Sequence, residues 1–184
     1  MNLLQADPEI LQKDHKTEEP TPVRRVCFVC TGNTCRSPMA AAVANALACE
    51  PIQKLPESIR SLASPELEAF SAGLGAIEGD PIAKNAVSAL ETAGIPVVPG
   101  HDYHTHTAHQ LCGEEADRFD LLIGLTREHA FSMMLSFPHL AQKIVSLPSD
   151  ISDPYGGDEK TYRLCLEQIS KAVRELLFPT RPEV

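Results

Sequence analysis

Two kinds of hydrophobic pattern take turns along the chain. Short apolar runs at Val26 to Val29, Leu67 to Ser71, Phe119 to Leu125 and Ile144 to Leu147 have the length of buried strands. Between them, apolar residues recur at helical spacing. An alanine-rich helix is expected from Ser37-Pro38 to about Cys49, stopping before Pro51. Ile82, Ala86, Val87, Leu90 and Ala93 fall on one face of a second helix, with Asp80-Pro81 as its cap and Gly94 as its end. Glu114 to Arg118 finish a short helix, and another runs from Thr126 to about Ser136. Tyr162, Leu166, Ile169, Val173 and Leu176 or Leu177 form the core stripe of a last helix, Glu159 to about Phe178. Ile95 to Val98 is apolar but proline-marked, and is read as a short third strand. Strands alternating with helices predict an α/β fold, a parallel sheet covered on both faces by helices.

Residues 1–22 stand outside this pattern. They are polar and proline-marked, and are expected to be a flexible N-terminal extension of a single domain spanning 23–184. A chain of 184 residues suffices for one full hydrophobic core and is short for two. The net charge of −9 argues against general nucleic-acid binding and against an anionic membrane surface. The longest apolar run, Met39 to Cys49, is interrupted by Asn45 and too short to span a bilayer. The first residues lack the charge layout of a signal peptide, so a cytoplasmic location is expected. The six cysteines are unevenly spaced, unlike a disulfide framework, and Cys27, Cys49 and Cys165 are read as small buried hydrophobes. Zinc is not expected: strand alternation turns Cys27 away from Cys30, and no paired C-x-x-C follows downstream. Four histidines between His101 and His109, with His104 and His106 on one strand face, are read as a polar loop beside the active site rather than a metal site.

The chemistry concentrates between Val26 and Ser37. The order strand, Thr31-Gly32-Asn33-Thr34-Cys35 loop and helix N-terminus converges backbone N–H groups and the helix dipole on one point, which suits an anion of phosphate size. Cys30 sits at the base of that loop, where the same donors favour a thiolate, and Arg36 can clamp two phosphate oxygens. A nucleophile under a phosphate cradle implies a cysteine phosphatase.

Cys30-Thr-Gly-Asn-Thr-Cys-Arg-Ser-Pro resembles the low-molecular-weight protein tyrosine phosphatase family, and Ser71-Ala72-Gly73, His106-x-Ala108-x-Gln110-Leu111 and Asp153-Pro154-Tyr155 agree with it in order. The resemblance covers roughly residues 24–178. It implies a three-layer αβα fold with a small, four-stranded parallel sheet, no metal and no cofactor. It also implies catalytic roles: Cys30 forms a phosphocysteine, Arg36 and the loop amides hold the equatorial oxygens, and Asp153 gives the leaving group its proton. By the same resemblance Ser37 bonds the Cys30 sulfur, although helix capping is an equal reading, and Ser71 and His106 tie down a left-handed Asn33. Cys35 is placed to trap an oxidised Cys30 as a disulfide.

Position 34 departs from the tyrosine phosphatases, which usually carry a bulky aliphatic there. Thr34 resembles the family's protein arginine phosphatase branch, so phosphoarginine in a protein substrate is favoured, with phosphotyrosine the alternative. Thr34 and Tyr155 are the expected substrate walls, and Gly156-Gly157 resembles bacterial members. His109 and Thr126 replace an arginine and an aspartate common in relatives, and the loop 50–67 is longer than usual. Arsenate reduction on the same fold needs a relay of further cysteines, for which Cys112 is the lone downstream candidate before the last helix. A non-catalytic phosphoprotein-binding module would require a defect at Cys30, Arg36 or Asp153, and none is present.

Overall fold

The computed structural model describes residues 24–54 and 66–179. The expected extension 1–22 and most of the loop 50–67 lie outside the described residues. Four parallel strands, β1 (Arg24–Cys30), β2 (Leu67–Gly73), β3 (Leu121–Gly124) and β4 (Ile144–Ser146), form one sheet in the order β2-β1-β3-β4. The helices are α1 (Arg36–Gln53), α2 (Lys84–Thr92), α3 (Gly113–Ala116), α4 (Arg127–Ser136) and α5 (Glu159–Leu177). This is the three-layer α/β arrangement that the alternating pattern predicts.

The period-2 geometry of β1 divides the core. Val26, Phe28 and Cys30 point to the layer of α1, α2 and α5, where Met39, Leu90 and Ile169 are fully buried. Cys27 and Val29 point the other way, into a second cluster with Leu122, Met133 and Ile144. Burial on both faces explains why β1 reads as a continuous apolar run rather than an alternating one. The stripe of α5 is core as expected, with Tyr162, Leu166, Ile169 and Val173 buried.

Asn45, the polar break in α1, is explained by the outer strand. Its side chain donates to the Ala69 carbonyl and accepts from the Ala69 N–H, both at 2.8 Å, so it pairs backbone groups of β2 that have no neighbouring strand on that side among the described residues.

Five local expectations need correcting. First, α1 does not stop before Pro51 but continues to Gln53. Proline already has a helical φ, and at this exposed end the missing N–H costs little because the carbonyl it leaves can face water. Second, Asp80 does not cap α2: the N-cap is Ala83, with no side-chain bond, and Ala93 is exposed. Third, Ile95 to Val98 forms no strand. Pro96 lacks a donor, Val97 is exposed, and only Val98 makes an isolated bridge, to His101. Fourth, His104 and His106 share no strand face, because Tyr103–Thr105 is a short 3-10 turn capped by Asp102. Fifth, Cys49 is only half-buried, whereas Cys27 and Cys165 are buried. Among the described residues no helix is long and apolar enough to cross a membrane.

The chain leaves β1 for β2 on one side and leaves β3 for β4 on the other. The topological switch point, where open α/β sheets leave a crevice, therefore lies at the carboxyl ends of β1 and β3. The Thr31 to Cys35 loop occupies the end of β1.

Candidate active site

The loop 31–35 joins the end of β1 directly to α1, and its shape depends on one backbone angle. Asn33 has φ 55°, the only positive φ at a non-glycine position among the described residues. Asparagine tolerates this region better than other side chains, and the surroundings hold it there. Its Nδ2 donates to Ser37 Oγ and Ser71 Oγ, both at 2.9 Å, and its Oδ1 accepts from the His109 N–H at 2.8 Å. The Asn33 carbonyl accepts from His106 Nε2 at 2.9 Å. Burial pushes the His106 imidazole below its ordinary pKa, which keeps it neutral with the proton on the nitrogen that this carbonyl needs.

Cys30 lies beneath this turn and is 3% exposed. The Asn33 N–H points at its sulfur from 3.3 Å and Ser37 Oγ lies 3.1 Å from it. Because Asn33 donates into Ser37 Oγ, the hydroxyl proton is free for the sulfur or for the Ala72 carbonyl at 3.3 Å. Ser37 lies inside α1 rather than ahead of it, so its hydroxyl braces the loop instead of capping the helix. The loop also rests on β2: Leu74 and Gly75 N–H donate to the Cys30 and Thr31 carbonyls at 2.9 Å. The approach leaves no room for a side chain at Gly73, where a Cβ would stand 2.6 Å from the Thr31 carbonyl oxygen.

Arg36 reaches across the pocket from the first turn of α1. Its Nη2 pairs with Asp153 Oδ2 at 2.8 Å and its Nη1 bonds the Ile151 carbonyl at 3.3 Å. The Nε–H is buried without a protein partner among the described residues, which makes it a donor available to an oxyanion. Asp153 sits on the loop before α5 with half its side chain exposed. That loop is held by the Ile151 N–H to the Leu125 carbonyl and by Asn85 to the Gly157 carbonyl, both at 3.0 Å.

These groups line one cavity of about 280 Å³ bounded by Cys30 to Arg36, Gly75, Ile77, Asp80, Asp153 and Tyr155. The structure brings together Cys30, Thr31, Gly32, Asn33, Thr34, Cys35, Arg36, Asp153 and Tyr155. Ser37, Ser71 and His106 stand behind the loop. Thr34 forms part of the wall; its carbonyl accepts from the Ala83 N–H at 2.8 Å.

Sequence reasoning missed several contributors. His129 bonds Thr31 Oγ1 at 3.1 Å and Thr126 Oγ1 at 2.8 Å. Burial, and secondarily the Arg36 charge, push its pKa down, so a neutral ring with one donor and one acceptor links the two hydroxyls. Tyr162 lies 3.1 Å from the Cys35 sulfur; burial, then that pairing, raise its pKa well above the phenol range, so it is a standing donor. Burial also pushes the Cys165 thiol up to about 12, which keeps it inert. The spacing Thr126-x-x-His129 was the one available hint, and it reads equally well as a helix start. Among the described residues no group of His, Cys, Asp or Glu is arranged to hold a metal ion.

A parallel αβα sheet that carries, at the end of a strand, a cysteine whose sulfur meets a backbone N–H and a serine hydroxyl, in one cavity with an arginine, defines the class of cysteine-dependent phosphatases. The chain belongs to the low molecular weight phosphotyrosine protein phosphatase family, whose model matches residues 25–183. It is a hydrolase, a low-molecular-weight protein phosphatase. It is 30% identical to a protein-arginine-phosphatase of Geobacillus stearothermophilus over 83% of this chain and 93% of that protein. A low molecular weight protein-tyrosine-phosphatase of Streptomyces coelicolor is 33% identical over 87% of this chain and 95% of that one. Among solved structures, a low molecular weight protein tyrosine phosphatase from T. tengcongensis superposes with a TM-score of 0.68 at 34% identity, covering 84% of this chain and 97% of the other.

Proposed function

We propose that the protein removes the phosphoryl group from phosphoarginine side chains of proteins. Cys30 Sγ attacks phosphorus in line as the thiolate, the P–N bond breaks, and Asp153 hands a proton to the departing guanidino nitrogen. Arg36, through its free Nε–H, and the loop amides bind the equatorial oxygens, where charge builds in the transition state. Water then attacks the phosphocysteine, Asp153 takes its proton, and the thiolate leaves with Ser37 donating to it.

The observation that carries the substrate reading is Thr34. It lines the same cavity as Asp153, and its small polar side chain leaves room beside the phosphoryl group for a planar guanidinium, which a carboxylate can bind through paired N–H groups. Overall identity does not separate the two substrates, since arginine and tyrosine phosphatases match the chain about equally well.

Phosphotyrosine is the second reading, favoured by Tyr155, which lies on the pocket wall and is 79% exposed, free to pack on a phenyl ring. Arsenate reduction finds less support: Cys35 is the only other cysteine on the cavity, and Cys112 lies away from it at the start of α3.

Paired kinetics with phosphoarginine and phosphotyrosine peptides test the reading. Cys30→Ser abolishes turnover of both substrates. Thr34→Ile shifts the kcat/KM ratio towards phosphotyrosine by about tenfold or more, the scale of one reshaped pocket contact. An unchanged ratio in Thr34→Ile sinks the arginine reading, and activity surviving in Cys30→Ser sinks the mechanism.

A further inference from the structure

We propose that Asp80 is a specificity-determining residue that binds the guanidinium of the phosphoarginine substrate from the pocket rim; this rests on the phosphoarginine reading above. Among the described residues that line the cavity three are charged: Arg36, Asp153 and Asp80. Arg36 serves the phosphoryl oxygens and Asp153 the leaving group, which leaves Asp80 without a task in the chemical steps.

It has no structural task either. The cap position of α2 belongs to Ala83, and the Asp80 carboxylate has neither an ion pair nor a side-chain hydrogen bond among the described residues. Its backbone, by contrast, is held from several directions. The Gly79 N–H donates to the Ala108 carbonyl at 2.9 Å, and the Asp80 carbonyl accepts from the Ala108 N–H at 2.7 Å. Pro81 bridges to Thr107, the Ile82 N–H donates to the His106 carbonyl at 3.3 Å, and the Ala83 N–H donates to the Thr34 carbonyl. His106 and His109 in turn hold Asn33. Asp80 is thus mounted on the same hydrogen-bonded frame as the phosphate loop, three residues from the one that grips Thr34.

A carboxylate carried by a fixed backbone at the mouth of a phosphate site is a liability for most phosphate esters, because it repels the incoming dianion. The sign reverses for a substrate that carries a cation next to its phosphoryl group. Phosphoarginine does so: its guanidinium keeps N–H donors that a carboxylate accepts, and Asp80 supplies such an acceptor besides the acid Asp153. The same charge penalises an aryl phosphate, a dianion with no cation beside it, so Asp80 discriminates by attraction and by repulsion together.

The test compares wild type, Asp80→Asn and Asp80→Glu in steady-state assays with a phosphoarginine peptide and with p-nitrophenyl phosphate, which bears no cation. The expected result is a fall of about fivefold or more in the kcat/KM ratio of phosphoarginine over p-nitrophenyl phosphate in Asp80→Asn, the scale of one lost charge contact at a partly solvated site. Asp80→Glu, which keeps the charge, retains most of the ratio. An unchanged ratio in Asp80→Asn, or an equal fall on both substrates, overturns the role of Asp80 while the phosphoarginine reading stands. No turnover of phosphoarginine by wild type overturns both.

Discussion

The phosphate loop and the rim above it are built in opposite ways. In the loop, Asn33 is fully buried in a left-handed conformation, and its side chain and carbonyl are satisfied by Ser37, Ser71, His106 and His109. On the rim, Ile77 and Tyr155 are 70% and 79% exposed, and Asp80 is held only through its backbone. The loop must stabilise a transition state whose geometry does not vary with the substrate, so its donors are locked before the substrate arrives. The rim meets the part of the substrate that does vary. Exposed side chains on a fixed backbone can change there without disturbing the cradle.

Breaking each region separately sharpens this contrast. The largest effect belongs to Asp153, which is the link between them. Asp153→Asn leaves the loop intact but removes the proposed proton donor, so turnover of substrates with basic leaving groups falls about 10²- to 10⁴-fold and that of p-nitrophenyl phosphate falls less. Equal losses on both would refute the acid role. Asn33→Ala attacks the loop itself: the hydroxyls of Ser37 and Ser71 and the His109 N–H lose their side-chain partner, and stability drops by about 2–4 kcal/mol in denaturant unfolding, with kcat falling in the surviving fold.

A smaller effect is expected from pH. The folded chain holds the His129 pKa below its reference value of 6.5, by burial first and the Arg36 charge second. The unfolded chain therefore binds more protons as pH falls through about 6.5, and the contribution of this residue, complete above that value, is lost towards the lower folded pKa. His106 acts in the same direction through burial. In His129→Gln the decline of Tm from about pH 7.5 to about pH 5.5 should be shallower than in wild type; an identical slope would exclude His129 as a contributor. The smallest effect falls on the rim, where Tyr155→Ala changes KM by about two- to fivefold while leaving the melting temperature unaltered, since a side chain so exposed contributes little to folding. A collapse of kcat in that variant would place Tyr155 among the reacting groups and blur the distinction.

Legibility followed the distance along the chain over which each feature is encoded. The helices and the four strands that form the sheet were readable because their periodicities are local, and the run Val26 to Ser37 contains strand, loop and helix start in one piece. Where local signals competed, they misled. Ile95 to Val98 has the hydrophobicity of a strand, but it pairs with no strand of the sheet, and Tyr103 instead donates its hydroxyl to the Ile95 carbonyl. Asp80 before Pro81 has the form of a cap, yet the helix starts later and Asp80 lies on the lining of the cavity.

By itself the sequence determined the cradle: a short apolar strand, a loop of residues that tolerate unusual backbone angles, and a cysteine and an arginine bound by that loop into a fixed relation. Only the tertiary structure decided what holds the cradle and what looks into it. His129 meets Thr31 across 98 positions of the chain, and His109 meets Asn33 across 76. Such pairings have no periodicity, because they arise when helices and strands pack and leave buried polar groups that must find partners. The chemistry of the loop is written in adjacent residues, whereas its rigidity is assembled from distant ones.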